Sequence, residues 1–464
     1  MTLKYSDMLV VMLLSAILIG LWLYPNPQAN ASSIGEASLP TDDYLWIDKS
    51  RLLTLPIDNN PAWQQLKRVA QQPVGLPNLA DQDDKTNTQV FAKALVYARL
   101  KDEPPARQSR IVEKKFTQQL RQEVIATCMN IIGTQAGSRS LETSKELMAY
   151  ILAADLVGFG SQEMLNSMTP SEKTQEVKDH SRFVTFLKEM QTYVFKQGKT
   201  ITSTHERRPN NWGTYAGATR IALSAYLAKN LGPDSEHGAR ALSDINRAAK
   251  VFNAWLGGQE THPAFRFKND SWQANPEEPL GINPVGSSIQ GHSVDGVLPD
   301  DQRRGGSFSW PPVKENYVYS ALQGAVSQAV LLDRLGFNQS CYSPGDTYAY
   351  QQGGCVWEWG DSALFRAFHW LNVHANFPAT GDDTWLPHII NLHYPCNDIS
   401  ADNTDTCYRG IGVTYSPKRN QPAVKRGHIN ILSPRQFDAP EASRPGKNIG
   451  WSGWTHLPEE SSTP

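Results

Sequence analysis

Apolar residues recur at helical spacing through much of the chain, and this periodicity constrains the fold more than any other feature of the sequence. Over 111–134, one face of a helix collects Leu120, Val124, Cys128 and Ile131. The same spacing predicts further helices over 92–100, 140–157, 183–197, 215–231, 241–256, 317–335 and 362–373. No fixed short-period repeat accompanies them. We therefore expect a mainly α fold.

Long segments rich in Gly, Pro, Asn and Trp separate the predicted helices. The longest spans 257–316, about 60 residues, a second spans 338–357, and a third takes up most of 380–464. Loops of such length inside a compact domain are usually functional. Helical hairpins with elaborate loops at one end favour an incomplete (α/α) toroid or barrel, a ring of antiparallel helix pairs whose cleft lies at the loop end.

The first 31 residues have the pattern of a signal peptide. Lys4 precedes an uncharged apolar run over 8–23, and the small residues Ala29 and Ala31 offer a cleavage site. The run of about 16 residues is shorter than the ~20 that cross a bilayer comfortably. We expect a periplasmic or secreted protein that meets the membrane only if this segment stays uncleaved as an anchor.

Composition divides the remaining chain into three parts. Segment 32–85 is rich in Pro, Asn and Asp and is expected to be an extended lead-in that wraps the body. The helical domain is expected over 86–380. Segment 381–464 is expected to be an irregular, loop-rich extension packed on the same domain, and the protein is expected to be a monomer.

The cysteines fit an oxidising compartment. Cys341 and Cys355 lie in one Gly- and Tyr-rich loop, and Cys396 and Cys407 lie in another, so each pair can close its own loop. We predict these two disulfides and a buried free thiol at Cys128. The absence of CxxC and HExxH spacing argues against zinc, and we expect no metal and no cofactor.

The charge balance narrows the possible partners. The net charge is −2, with no block of like charge, which argues against nucleic acid. A polyanionic substrate would therefore need a locally basic cleft.

Polar groups cluster over 204–215, immediately before an apolar helical pattern. Asn211 or Thr214 suits the N-cap of that helix, but a cap explains one residue and not the whole cluster. Side-chain amides at a helix start can donate hydrogen bonds to a substrate carboxylate, and convergent polar groups favour a site. The candidate residues here are His205, Asn210, Asn211, Trp212 and Tyr215.

A second polar cluster runs over 291–317. Tyr317 begins a long apolar helix, so its hydroxyl can project into a cleft, although a buried Tyr bonded to backbone is the ordinary alternative. Arg303 and Arg304 lie in a Gly-rich loop and suit bidentate binding of carboxylates, or are surface charges. His292 is the nearby imidazole.

Two stretches resemble the alginate lyase family of polysaccharide lyases. DGVLPDDQRRGGSFSWPPVKENYVYSALQGAVSQAVLLDRLG, at 295–336, resembles the family stretch that carries an Arg and then a catalytic Tyr opening a helix. PNNWGTYAGATRIALSAYL, at 209–227, resembles the family's Asn-Asn motif, which also opens a helix. The resemblance covers roughly 86–372. It implies an (α/α) toroid that cleaves an anionic uronic-acid polymer, mannuronan or glucuronan, by metal-independent β-elimination.

The resemblance also implies roles for single residues. Asn211 corresponds to the Asn that neutralises the substrate carboxylate, Tyr317 to the proton-transferring Tyr, and Arg304 or Arg303 to the helper Arg. Mannuronan-cleaving members follow the Asn pair with His, where this chain has Trp212. The imidazole must then come from elsewhere, with His292 and His205 as candidates, or be unnecessary. This departure points to a related lyase branch.

These residue types suit β-elimination. Neutralising the C6 carboxylate stabilises the charge that develops as the C5 proton leaves, and an acid then protonates the departing O4. A single Tyr can do both because proton and leaving oxygen lie on the same side of mannuronate and glucuronate. Aromatic faces stack on sugar rings. The candidate substrate-binding residues are Asn210, Trp212, Tyr215, Trp272 and Trp310.

Two other functions remain open on the sequence. An inverting glycoside hydrolase, also common on α/α barrels, needs two carboxylates on opposite sides of the bond. Its candidates also read as turn residues, and they are Asp300, Asp301, Glu315, Asp382 and Asp383. The third possibility is a non-catalytic protein for polysaccharide binding or export.

Overall fold

The computed structural model describes residues 35–40, 42–57, 60–102, 110–258, 261–268, 271–338, 355–394 and 451–456. This part of the chain is mainly helical, so the predicted fold class is confirmed at that level. The predicted signal peptide lies outside the described residues. Within them, no helix combines the length and the apolar character needed to cross a membrane.

Helices overlap all of the predicted segments, although the helices at Thr86–Leu100 and Pro170–Thr192 begin six and 13 residues before the predicted 92 and 183. In chain order they are α1 (Lys49–Thr54), α2 (Pro61–Gln71), α3 (Thr86–Leu100), α4 (Arg110–Asn130), α5 (Ser140–Leu156), α6 (Gln162–Asn166), α7 (Pro170–Thr192), α8 (Ile201–Arg207), α9 (Asn211–Leu231), α10 (Glu236–Leu256), α11 (Pro299–Gln302), α12 (Asn316–Arg334), α13 (Trp359–His369), α14 (Leu386–His393) and α15 (Ser452–Thr455). A two-residue antiparallel hairpin joins β1 (Ser288–Ile289) to β2 (His292–Ser293). Short 3-10 turns lie at Arg303–Gly305, Val356–Glu358 and Gly381–Asp383, and a π turn at Trp370–His374.

Helices α5, α9 and α12 lie in the interior of the domain, together with α3. Almost every side chain of α5 and α9 is buried, and most of α12 is buried beyond its first turn. A helix that is apolar all round belongs inside a protein. Helix α10, by contrast, buries one face against α9 and exposes charged residues on the other.

Helices α5, α9 and α12 run in the same direction. Asn211 contacts Ser320 and Tyr215 contacts Gln323, so residue numbers rise together along α9 and α12. On the other side of α9, the Thr219 hydroxyl donates to the carbonyl of Ser144 in α5, at 2.6 Å. Further along, the Tyr226 hydroxyl donates to the carbonyl of Phe159, just past the end of α5. The N-termini of α5, α9 and α12 therefore lie at one end of the domain.

A glycine allows α9 and α12 to approach closely. A Cβ added to Gly324 of α12 would lie 2.5 Å from the backbone carbon of Thr214. Real Cβ atoms do not come that close to backbone, so any larger residue must push the two helices apart. The spacing between the two helices that carry the predicted Asn and Tyr depends on this position.

The lead-in differs from the prediction. Segment 32–85 was expected to be extended, but it contains α1 and α2. Its residues do pack on the domain: the Leu45 amide donates to Asp155 at 2.7 Å, and Arg334 pairs with Asp43 at 2.8 Å. The Pro and Asn residues of this segment argued against helices on intrinsic propensity. The two short helices are stabilised by packing on the rest of the domain, which helix propensity does not measure.

Residues 451–456 pack on this lead-in. The Trp454 ring lies 5.1 Å from the Trp63 ring, and the Trp454 indole donates to the carbonyl of Pro56 at 3.2 Å. The carbonyl of Thr455 accepts from the Arg51 guanidinium at 3.2 Å. The last described segment thus covers the first helices.

The cysteine predictions are tested in part. Cys128 is buried and free, as predicted. Cys355 is disulfide-bonded. Its predicted partner Cys341, and the predicted pair Cys396 and Cys407, lie outside the described residues, so both pairings stay predictions.

Candidate functional site

The starts of α5, α9 and α12 meet at one surface, which we call the helix-start edge. Arg139, directly before α5, places its guanidinium 5.9 Å from the ring of Trp212 in the first turn of α9. Asn211, beside Trp212, donates its amide hydrogen to Ser320 in α12 at 3.3 Å. Helix N-termini carry partial positive charge. Three of them at one surface favour an anionic ligand there.

Trp212 is the aromatic centre of the helix-start edge. Its half-buried ring receives two guanidinium groups, from Arg139 and from Arg208 at 5.6 Å. Arg139 is held in place by Glu142, whose carboxylate accepts from Nε at 2.6 Å. An indole with two cations near its ring combines an aromatic surface with positive charge, and both suit a sugar acid.

Tyr317 stands in the first turn of α12. It is 40% exposed, and the Arg304 guanidinium lies 3.6 Å from its ring centroid. Among the described residues its hydroxyl makes no hydrogen bond, so the phenol is open to a ligand. The structure thus brings Tyr317 and Arg304 together.

Arg303 points elsewhere. Its Nε donates to Asp300 at 2.8 Å, and the other oxygen of Asp300 accepts from the Asn210 amide at 2.8 Å. Asp300 is 2% exposed. Arg303 and Asp300 therefore tie α11 to the start of α9.

The predicted N-cap of α9 is wrong by one position. Asn210, not Asn211 or Thr214, caps the helix by accepting from the Trp212 amide at 3.2 Å. Asn211 is the first helical residue, and its amide donates to Asp301 at 3.1 Å. Asp301, in α11, thus adds a second acceptor to the local cap at Asn210, and local spacing could not identify it because Asn211 and Asp301 are 90 positions apart.

Asn211 and Asp301 are both buried, each 1% exposed. Burial raises the pKa of Asp301 well above its usual range, and the neighbouring charge of Asp300 also raises it. The hydrogen bond from the Asn211 backbone N–H and the charges of Arg304 and Arg303 lower the pKa, but by less. One oxygen of Asp301 and the oxygen of the Asn211 side chain have no hydrogen-bond partner in the described part of the chain. The side-chain amide of Asn211 donates to Ser320, so this side chain faces inwards.

A buried polar line passes between the interior helices below this edge. The Tyr215 hydroxyl donates to Gln323 at 2.8 Å, and Gln323 donates to Asp383 at 2.7 Å. The Lys145 ammonium lies 5.2 Å from the Tyr215 ring. Burial and then the charge of Asp382 raise the pKa of Asp383 to about 7, against the hydrogen bond from Gln323 and the charge of Lys145.

Two of the predicted sugar-contacting aromatics are buried. Tyr215 and Trp272 are each 1% exposed, so neither ring can stack on a sugar. Trp272 packs edge-on against Phe308 at 4.9 Å and donates to the Gly306 carbonyl. Asn210 is also buried and acts as the cap. Large aromatics serve the core more often than the surface, and sequence alone does not separate the two uses.

The histidines do not meet Tyr317. His292 stacks on half-buried Trp310 at 4.4 Å. His205 is buried beneath α9, where it faces Arg220 at 3.4 Å, and burial lowers its pKa well below the usual range. His205 is therefore neutral and cannot supply the predicted positive charge. Within the described ranges, no histidine makes a hydrogen bond or ring contact with Tyr317.

Sequence reasoning missed four residues of this region: Lys145, Arg139, Arg208 and Gln323. Lys145 and Gln323 are polar positions inside otherwise apolar helices, which is the signal that could have identified them. Arg208 lies four residues before Trp212 and reaches it locally, whereas Arg139 precedes α5 and reaches Trp212 only because α5 packs parallel to α9.

Comparisons with known proteins identify no relative. A scan against protein-family models matches none, and a search of curated proteins returns no significant match. In the described part of the chain, no group of three or more His, Cys, Asp or Glu residues is arranged to hold a metal ion.

Proposed function

We propose that this chain is an exported polysaccharide lyase that cleaves a 4-linked uronic-acid polymer by β-elimination. One observation carries the proposal: the open phenol of Tyr317 with the Arg304 guanidinium 3.6 Å from its ring. Export rests on the sequence of the first 31 residues, and the family resemblance supports the reaction type.

We also propose that the fold is an incomplete (α/α) toroid. Parallel, buried α5, α9 and α12 suit the inner ring of such a fold, in which inner helices all run one way. The longer helices α4, α7 and α10, which have exposed faces, suit the outer, antiparallel ring. The helix-start edge then lies at the mouth of the cleft.

The reaction follows from the groups at this edge. The Arg304 guanidinium and the helix N-termini neutralise the C6 carboxylate and stabilise the enolate-like charge that forms as the C5–H bond breaks. Tyr317, as phenolate, takes that proton and returns it to O4 as the C4–O4 bond breaks. The electron pair of the C–H bond becomes the C4–C5 double bond. The uronate at the new non-reducing end is therefore unsaturated, and no water is consumed.

The geometry shifts one predicted role. Arg304, not Arg303, accompanies Tyr317, because Arg303 is bound to Asp300. Asn211 binds Ser320 and Asp301, so we assign it the positioning of α12 against α9, while Trp212 offers a ring for the sugar. The polymer is mannuronan or glucuronan, which share the required C4 and C5 configuration.

Tyr317→Phe tests the proposal. The change keeps the ring under Arg304 and removes the group that moves the proton, so turnover should fall by about a thousandfold or more, with polymer affinity within about twofold. The readout is the ultraviolet absorbance of the unsaturated product on mannuronan and glucuronan. Half-buried Tyr193→Phe is the matched control. Near-normal activity of Tyr317→Phe would end the proposal.

A second candidate is an inverting glycoside hydrolase, which one observation favours. Asp383 has its pKa raised to about 7, so it holds a proton near neutral pH as a general acid must. If the chain is a hydrolase, the parent should form reducing ends and no unsaturated product. Asp383→Asn should then abolish the reducing ends, and Tyr317→Phe should stay active. For the lyase, Asp383→Asn should keep at least about a tenth of the activity, since the residue lies below the edge.

A further inference from the structure

A pocket of about 260 Å³ lies at the end of α8, beside the helix-start edge. The backbone amide of Arg266 donates to the carbonyl of Arg207 at 3.0 Å, which holds segment 261–268 against the end of this helix. The residues that line this pocket, called here the cationic pocket, are Lys199, Ser203, Thr204, Arg207, Arg208 and Arg266.

The cationic pocket collects positive charge, part of which is already hydrogen-bonded, since Nη1 of Arg266 donates to the carbonyls of Pro263 at 3.0 Å and Phe265 at 2.9 Å. Four of its six lining residues are Lys or Arg, and none is acidic. Among the described residues, none of the four forms an ion pair. The nearest acid in sequence, Glu206, is bound to Arg220 at 3.3 Å and Arg247 at 3.1 Å. Like charges gathered around one space repel each other, so an anion in that space stabilises them.

The donors are of the kind that bind oxyanions. A guanidinium presents parallel N–H groups that match the two oxygens of a carboxylate or sulfate. The Thr204 hydroxyl already donates to Ser140, and the Ser203 hydroxyl already accepts from the backbone N–H of Thr200, so the cations carry the recognition. A volume of about 260 Å³ is close to the smaller end of ligand sites and suits one sugar unit.

The cationic pocket adjoins the proposed active site through one residue. Arg208 lines it and also lies over the ring of Trp212, at 5.6 Å. A polymer that stacks on Trp212 therefore passes directly to the pocket. We propose that the cationic pocket binds a negatively charged substituent, carboxylate or sulfate, of a sugar unit beyond the one cleaved at Tyr317. This inference rests on the proposed function for the identity of the polymer.

The test removes two exposed cations of the pocket. Arg207→Gln combined with Arg266→Gln should weaken binding of the acidic polymer about tenfold or more, as the loss of charge-assisted bonds does. The matched control is Arg240→Gln combined with Arg68→Gln, two exposed arginines on α10 and α2, which should change affinity less than about twofold. Affinity electrophoresis through gels that contain acidic or neutral polymer gives the readout, in a Tyr317→Phe background that prevents cleavage.

Competition separates the two chemistries. If inorganic sulfate displaces the polymer from the parent but not from the double variant, the pocket binds a sulfated unit. If free glucuronate does so, the pocket binds a carboxylate. An unchanged polymer affinity in the double variant overturns the pocket, whatever the lyase assay shows. Lost affinity in a chain that forms no unsaturated product supports the pocket while the lyase proposal fails.

Discussion

At the scale of single residues, the most unusual group is the carboxyl of Asp301. It is 1% exposed and lies under the start of α9, where the Asn211 amide donates to one of its oxygens and the other has no partner in the described part of the chain. Burial raises its pKa well above the usual range. The folded protein therefore favours the protonated form of Asp301. In the unfolded chain the same carboxyl loses its proton above about pH 4.

This arrangement makes stability depend on pH. The folded pKa is raised, so the contribution of Asp301 is fully present below about pH 4 and is lost as the pH rises toward the folded pKa. Asp301→Asn keeps the acceptor and does not titrate. The variant should gain unfolding free energy relative to the parent as the pH rises above about 4, the range in which the parent loses the contribution of Asp301. Urea unfolding followed by Trp fluorescence measures it, with exposed Asp234→Asn as control. A pH-independent difference would show that Asp301 does not titrate in this way.

Neighbouring residues show what the sequence could and could not indicate at this scale. Arg303 and Arg304 are equivalent in sequence, and both were candidates for the helper Arg. The short 3-10 turn sends Arg303 to Asp300 and Arg304 to Tyr317. Residue type and position were predictable from motif chemistry. The direction of each side chain was not, because it depends on a turn whose geometry is set by a buried partner.

At the scale of elements, helix positions were predictable and helix partners were not. The apolar period predicted 317–335, and the helix runs over Asn316–Arg334. The start of α9 lies four residues before the predicted 215, because Asn210 caps it with help from α11. The periodicity indicates where these helices lie but not where each one begins, since α7 starts 13 residues before the predicted 183. Nor does it single out Gly324, which sets the distance between α9 and α12, from any other helical glycine.

Gly324 is the element-scale test. In Gly324→Ala the new Cβ meets the backbone of Thr214, which cannot move aside as a side chain can. Overpacking should lower the unfolding free energy by about 1–3 kcal/mol, although Ala is the better helix former. Exposed Gly75→Ala, whose Cβ meets nothing nearer than 3.4 Å, is the matched control. Thermal unfolding gives the comparison. Equal stability of the two variants would mean that α9 and α12 are not held in close contact here.

At the scale of the whole molecule, histidines are buried where distant segments meet. His388 of α14 is 2% exposed, and burial, then the charge of His456, lowers its pKa to about 3. His456 belongs to the segment that packs on the lead-in, and its ring lies 5.9 Å from that of Trp46. No local pattern predicts such a junction, since its members come from opposite ends of the chain.

The junction predicts acid sensitivity. The folded pKa of His388 is lowered, so the unfolded chain takes up the proton first, and stability is lost as pH falls from about 6.5 toward the folded value. His388→Phe, which cannot be protonated, should reduce this loss by about 1–3 kcal/mol between about pH 6.5 and pH 4. Unfolding free energies at several pH values provide the measurement, with exposed His237→Phe as control. Parallel pH profiles of parent and variant would contradict the assignment.

The packing of Trp454 on Trp63 also sets the order in which this chain can finish folding. The indole of Trp454 reaches a carbonyl 398 residues earlier, at Pro56. A polypeptide synthesised from its N-terminus holds α1 and α2 without their cover until Trp454 has been added, 398 residues after Pro56. The cover of α1 and α2 is therefore postponed until residues 451–456 have been made, and a chain released before Trp451 leaves Trp63 without the Trp454 ring.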